Sequence, residues 1–181
     1  MKCNTIDLIN DLTERTLKIQ SGLKNLEAFS TDDLNKRDHP DAWSAFECIA
    51  HLNIYGDFYI PEITKKIAQS NRLNPSPVFK SGILGNYFVK MVGPLDASKK
   101  MKTLSSANPL GSTLDISTLH KFDNQQSAML EILKNAASVD LNKTKTGISI
   151  APWIKIKLGD TLRVVILHNQ RHMEQALRAT N

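Results

Sequence analysis

LGDTLRVVILHNQRHMEQALR, residues 158–178, is the stretch of this 181-residue chain from which the fold is best read. Val164 to Leu167 is apolar all round, which suits a helix wedged among several others. His168 and His172 stand four residues apart, close to one helical turn, so they share a face about 6 Å apart along the axis. The same face carries Val164 or Val165 and Gln175. Gly159 and Asp160 close the preceding segment. The spacing predicts a helix over residues 161–178 with Asp160 as its N-cap.

Outward from this helix the chain is mostly helical in pattern. Ile154, Ile156 and Leu158 alternate with Lys155 and Lys157, which predicts a short extended stretch. Residues 115–137 carry an inner face of Leu119, Phe122, Met129, Leu133 and Ala136. Gln126 interrupts that face and reads as a buried amide with a partner, the alternative being contact with a polar cavity. A second helix opens at DAWSAFECIAHL, residues 41–52, where Ser44 and Glu47 form a capping box and Trp43 is placed to clasp the helix start. It extends to about residue 70, with a kink or break expected near Tyr59 because Pro61 removes a backbone donor. The first helix covers residues 6–26, with a stripe of Leu8, Leu12, Ile19, Leu23 and Leu26 and a cap at Asn4 or Thr5. AFSTDDLNKRDHPDA, residues 28–42, reads as a connection. Residues 71–112 are punctuated by Pro75, Pro77, Gly82, Gly93, Pro109 and Gly111 and read as an irregular excursion, with a short helix possible in ILGNYFVKMV. A segment of this length serves as a cover over a site or as a plain packing loop. The expectation is one all-α domain over residues 1–181, a four-helix bundle.

Composition narrows the class. A hydrophobic fraction of 41% and a charged fraction of 23% fit a soluble globular protein. No apolar run is long enough for a membrane span. MKCNTIDLINDL lacks the apolar middle of a signal peptide, so cytoplasm is the expected location. Cys3 and Cys48 make no disulfide framework, and Cys48 reads as a buried thiol three residues before His51. The net charge of +5 is spread over scattered lysines, apart from Lys99, Lys100 and Lys102, and does not amount to a nucleic-acid footprint.

His51, in FECIAHLNIYG, supplies a third imidazole on a face with Glu47, Tyr55 and Phe58. Three protein ligands with further positions open are what a catalytic metal requires, and bundle cores host such sites. A histidine pair at helical spacing also occurs as a packed or surface pair, so spacing alone leaves both readings standing. His39 and His120 have no partner at ligand spacing and read as ordinary polar positions. Glu47 is a candidate proton shuttle or acceptor beside the ligands, although its capping role already accounts for it. Tyr55 is a candidate hydrogen-bond donor in a pocket, with core packing as the alternative. Zinc, nickel and iron all suit imidazole, and the residues do not choose among them.

Trp43-Ser44-x-x-Glu47-x-x-x-His51-Leu52 and Leu158-Gly159-Asp160 followed by His168-x-x-x-His172-x-x-Gln175 together resemble the DinB/YfiT-like superfamily over nearly the whole chain. The resemblance implies an up-down-down-up four-helix bundle, commonly a homodimer, with His51, His168 and His172 as ligands of a divalent metal. It implies a small-molecule substrate or thiol, and a metal-dependent hydrolase or a bacillithiol-type S-transferase. The alternatives are a non-catalytic metal-binding stress or sensor protein, and a purely structural bundle.

Overall fold

A computed structural model describes residues 1–70, 74–93 and 103–180. They are mostly helical. Four long helices, α1 (Thr5–Leu26), α3 (Ala45–Ala68), α5 (Ser117–Ala136) and α6 (Leu158–Arg178), are joined by two shorter ones, α2 (Thr31–Asn35) and α4 (Ile83–Val92). Two small antiparallel pairs complete the chain: β1 (Lys2–Asn4) with β2 (Val78–Lys80), and the hairpin of β3 (Lys145–Ile148) and β4 (Ala151–Lys157). Among the described residues no helix is long and apolar enough to cross a membrane.

The helical stripes explain the packing. α1 and α3 each lie against both α5 and α6. Leu12, Leu23 and Leu26 of α1 meet Phe46, Ile49 and Leu52 of α3, Leu119, Phe122 and Leu133 of α5, and Leu162 and Ile166 of α6 in one buried core. Burying each such side chain stabilises the fold by about 1.5–3 kcal/mol before conformational entropy is set against it. α4 lies on α6, and the β3–β4 hairpin touches α3, α4 and α6. Gln126 is buried and accepts from Asn169 Nδ2, so its amide is partnered inside the core. Burial pushes the Cys48 thiol well above its ordinary range, as expected for an inert structural cysteine.

Local signals hold where they are short-ranged. Asn4 caps α1, its Oδ1 accepting from the amides of Ile6 and Asp7. The capping box at Ser44 and Glu47 forms in both directions. The helix read over 83–92 is present, and the extended stretch from Ile154 belongs to a longer strand, β4, which ends at Lys157, one residue short of the Leu158 that closes the alternation.

Five expectations need correction. The connection of 28–42 contains α2, started by Ser30, whose Oγ accepts from Asp33 N–H. α3 passes through Pro61 without the break that is one of the two outcomes expected there, and Tyr59 and Ile63 on either side of it are buried. The chain is not wholly helical, since β1 and β2 pair across residues 74 or more apart in sequence, which no local pattern encodes. Residues 71–112 contain β2, α4 and a single 3₁₀ turn at Ser105–Ala107, while 71–73 and 94–102, with the lysine cluster, lie outside the described residues.

The last correction concerns the start of α6. The helix begins at Leu158, so Asp160 is its third residue and not its cap. Its fully buried carboxylate instead accepts from Ser81 Oγ and from Gly82 N–H at 2.8 Å, and pairs with Arg163. Asp160 thus anchors the approach to α4. Gly159 beside it lets Phe79 of β2 sit against the helix backbone: a Cβ there would lie 2.5 Å from the buried Phe79 ring. Alanine is the better helix former by up to about 1 kcal/mol, but overpacking a filled core costs about 1–3 kcal/mol. Gly159→Ala is therefore expected to lower stability on balance. Urea unfolding with an unchanged or higher midpoint would contradict this packing.

Candidate metal centre

α3 and α6 run past each other in opposite directions, and this brings the three histidines together. His51 faces His172 with ring centroids 4.7 Å apart, and Tyr55, one turn further along α3, faces His168, one turn earlier on α6, at 4.8 Å. His168 and His172 are 4.7 Å apart, and His51 and His168 are 5.1 Å apart. Each ring offers one nitrogen, and the three nitrogens lie within 4.8 Å of one another.

Neighbouring groups set the rings' protonation. His51 Nδ1 lies 2.7 Å from the Ala107 carbonyl, which can only accept, so Nδ1 carries the proton and Nε2 keeps its lone pair. His172 Nδ1 donates in the same way to Gln175 Oε1 at 2.9 Å. Metal-binding histidines usually have such partners, which fix the ring and its tautomer. Burial depresses the basicity of all three rings. It is opposed at His51 by the Ala107 carbonyl, and reinforced at His168 by the other two imidazoles and Arg171. His172 is lowered to about 3 by burial and by His51, with the Gln175 bond acting the other way. Neutral imidazoles are the form a metal ion needs.

The donor set fits a divalent ion. His51 Nε2 and His168 Nε2 are 3.3 Å apart. Two nitrogens bound at about 2.0–2.1 Å to a tetrahedral zinc would be separated by about 3.3–3.4 Å. Three close histidines can therefore hold a metal ion, and the all-nitrogen set suits zinc, nickel or iron alike.

The histidines open onto a cavity of about 870 Å³. Trp43 and Asn108 form part of its wall. Trp43 does more than fold back over the first turns of its own helix, where its ring meets His51: the ring also lies against His172 of α6, and its Nε1 donates to Asn108 Oδ1 at 3.1 Å. Tyr55 lines the cavity between His51 and His168, and burial pushes its phenol above the usual value. His39, read as an ordinary polar position, lies on the cavity wall with Asp38 and Asp41, while His120 lies elsewhere. Arg171 and the loop around Ser149 also line the cavity. Arg171 stands beside His172 in the sequence, but the local sequence carried no sign of Ser149, since the hairpin reaches the site only through the tertiary fold.

Glu47 points away from the cavity. Its fully buried carboxylate accepts from Arg37 Nε at 2.8 Å and Nη2 at 2.6 Å, and from the amides of Ser44 and Gly111. Gly111 needs a positive φ of 89° to present that amide. Glu47 thereby ties together the segment before α3, the start of α3 and the loop whose Ala107 carbonyl orients His51. Burial would raise its pKa, but Arg37 and the two amides outweigh that and leave it below the ordinary carboxylate value.

A family model described as the DinB superfamily matches residues 13–176. No curated protein and no solved structure matches the chain.

Proposed function

From the premise that this chain belongs to the DinB superfamily over residues 13–176, we propose that it is a metal-dependent enzyme acting on a small molecule. His51, His168 and His172 hold the ion in this reading. The observation that carries it is the convergence of three neutral imidazoles at the wall of a cavity large enough for a substrate. A bound divalent ion would supply a Lewis acid that makes a water or a low-molecular-weight thiol nucleophilic at neutral pH. Ala107 and Gln175 hold two of the rings in the required tautomer. Tyr55, whose ring packs against two of the histidines, is placed to donate a hydrogen bond to the reacting group. Glu47 serves as a positioning residue through the loops it joins.

The finer fold reading belongs here too: an up-down-down-up four-helix bundle. Asn53 bonds to Thr118 while Asp57 reaches Lys121 and Gln125, which supports α3 and α5 running the same way. Arg15 meets Gln170 while Gly22 lies beside Leu177, which supports the same for α1 and α6. The opposed run of α3 and α6 completes the pattern. Homodimer formation is part of the same proposal, and a monomer in sedimentation equilibrium at tens of micromolar would remove it.

The test of function is a two-arm screen of zinc-, nickel- and iron-loaded protein. One arm supplies a low-molecular-weight thiol with an alkylating electrophile, and the other supplies esters and amides. We expect turnover in one arm, lost on chelation and in His168→Ala. Silence in both would leave the non-catalytic alternative, a metal-binding stress or sensor protein.

A further inference from the structure

Polarity is unevenly distributed along the cavity. Its charged lining residues, Asp38, Asp41, Arg171, Glu174 and Arg178, come from the segment before α3 and from the part of α6 after His168. Along α3 from His51 to Tyr59 the lining changes. Eight residues of helix cover about 12 Å, and at that far end the cavity is walled by Phe88, Ile148, Ile156, Val164 and Val165. Ile148 and Ile156 belong to a small apolar cluster, separate from the main core, against which Phe88 of α4 packs. The polar groups at that end are bonded to each other: Ser149 N–H and Oγ both donate to the Tyr59 hydroxyl oxygen. Among the described residues, this end of the cavity presents no charge and has its Tyr59–Ser149 polar pair already bonded.

Resting on the metal-centre reading above, we infer that the ligand of this cavity is an amphiphile. Its polar, reacting group lies at the histidines, and its hydrocarbon or aromatic body lies between α4, the β3–β4 hairpin and the first half of α6. The physical reason is desolvation. Water at the far end finds few bonding partners, so an apolar group that displaces it gains transfer free energy without leaving a polar atom unpaired. A wholly polar ligand of the same size would be desolvated there without compensation. The 870 Å³ volume also exceeds what a water or a small thiol alone would fill. The hairpin and α4 are therefore specificity elements.

The test is calorimetric binding, independent of turnover. Zinc-loaded protein is titrated with acetohydroxamate, butanohydroxamate, hexanohydroxamate and octanohydroxamate. Metal-free protein is titrated with butanol, hexanol and octanol. Affinity should rise up to about fourfold for each added methylene, as for burial of a CH₂ group, until the chamber is full. Val164→Phe should move that limit to shorter chains, and Phe88→Ala to longer ones. These opposite shifts would not arise from general loosening, and far-UV circular dichroism checks that each variant folds. Acetohydroxamate binding with no dependence on chain length, in either series, would overturn this inference while leaving the metal centre standing. Alcohols that bind more tightly with length, together with hydroxamates that bind no more tightly to the zinc-loaded protein than to metal-free protein titrated in parallel, would uphold the chamber and overturn the metal reading. A limit that neither variant moves would overturn the placement of the apolar body.

Discussion

His51→Ala should weaken zinc binding by more than about 100-fold while leaving the helical content unchanged. Loss of a group that merely orients a ligand typically costs 10–100-fold in metal affinity, and loss of the ligand itself must exceed that. His51 is the demanding case because it is the only one of the three on α3, so no residue one turn away on α6 can replace it. The fold should survive, since Phe46, Ile49 and Leu52 around it stay buried in the main core. Gln175→Ala should show the intermediate loss, because His172 would keep its nitrogen but lose the acceptor that holds its tautomer. Competition with a chromophoric chelator, on protein purified without a nickel column, gives the affinities. Equal zinc retention by wild type and His51→Ala would end the metal-centre reading.

Glu47→Ala should destabilise the protein by about 3 kcal/mol. Breaking a buried ion pair costs about 3–5 kcal/mol when the abandoned charge stays buried. Arg37 is 29% exposed and can regain water, which brings the figure down. The amides of Ser44 and Gly111, left without an acceptor, push it back up. Glu47→Gln should cost less, because it keeps the shape and part of the bonding. The pH dependence has a definite sign. A carboxyl whose folded pKa is depressed supplies stability that is complete above its unfolded value of about 4.3 and is lost as pH falls through the folded value. The stability gap between wild type and Glu47→Gln should thus be full at neutral pH and shrink below about pH 4. Urea unfolding across that range measures it, and a gap that does not change with pH would show that the charge plays no part.

The long helices were legible because their information is local. A stripe such as Leu8, Leu12, Ile19, Leu23 and Leu26 repeats with the helical period, and a period-matched stripe must be buried somewhere whatever its partner. The histidine pair was legible for the same reason. The roles of individual polar residues were less so. Asp160 has the chemistry of an N-cap and stands where one belongs, yet its partners are Ser81 and Gly82, far back in the chain. Trp43 reads as a local clasp, yet its indole bonds to Asn108 across 65 positions. Glu47 reads correctly as a capping residue and incompletely, because Arg37 and Gly111 arrive from loops with no periodic signal.

By itself, then, the sequence determined the four long helices, the caps of α1 and α3 and the two imidazoles of α6 that share a face, all consequences of backbone geometry within a turn or two. The tertiary structure alone decided that His51 meets that pair, that its Nε2 keeps the lone pair a metal would use, and that the charges lining the cavity beyond are confined to one end. The physical reason is one of range. A helix turn is dictated by neighbours three and four residues away, whereas a site is dictated by which faces are buried together. That is settled by the summed packing of α1, α3, α5 and α6 and not by any one of them.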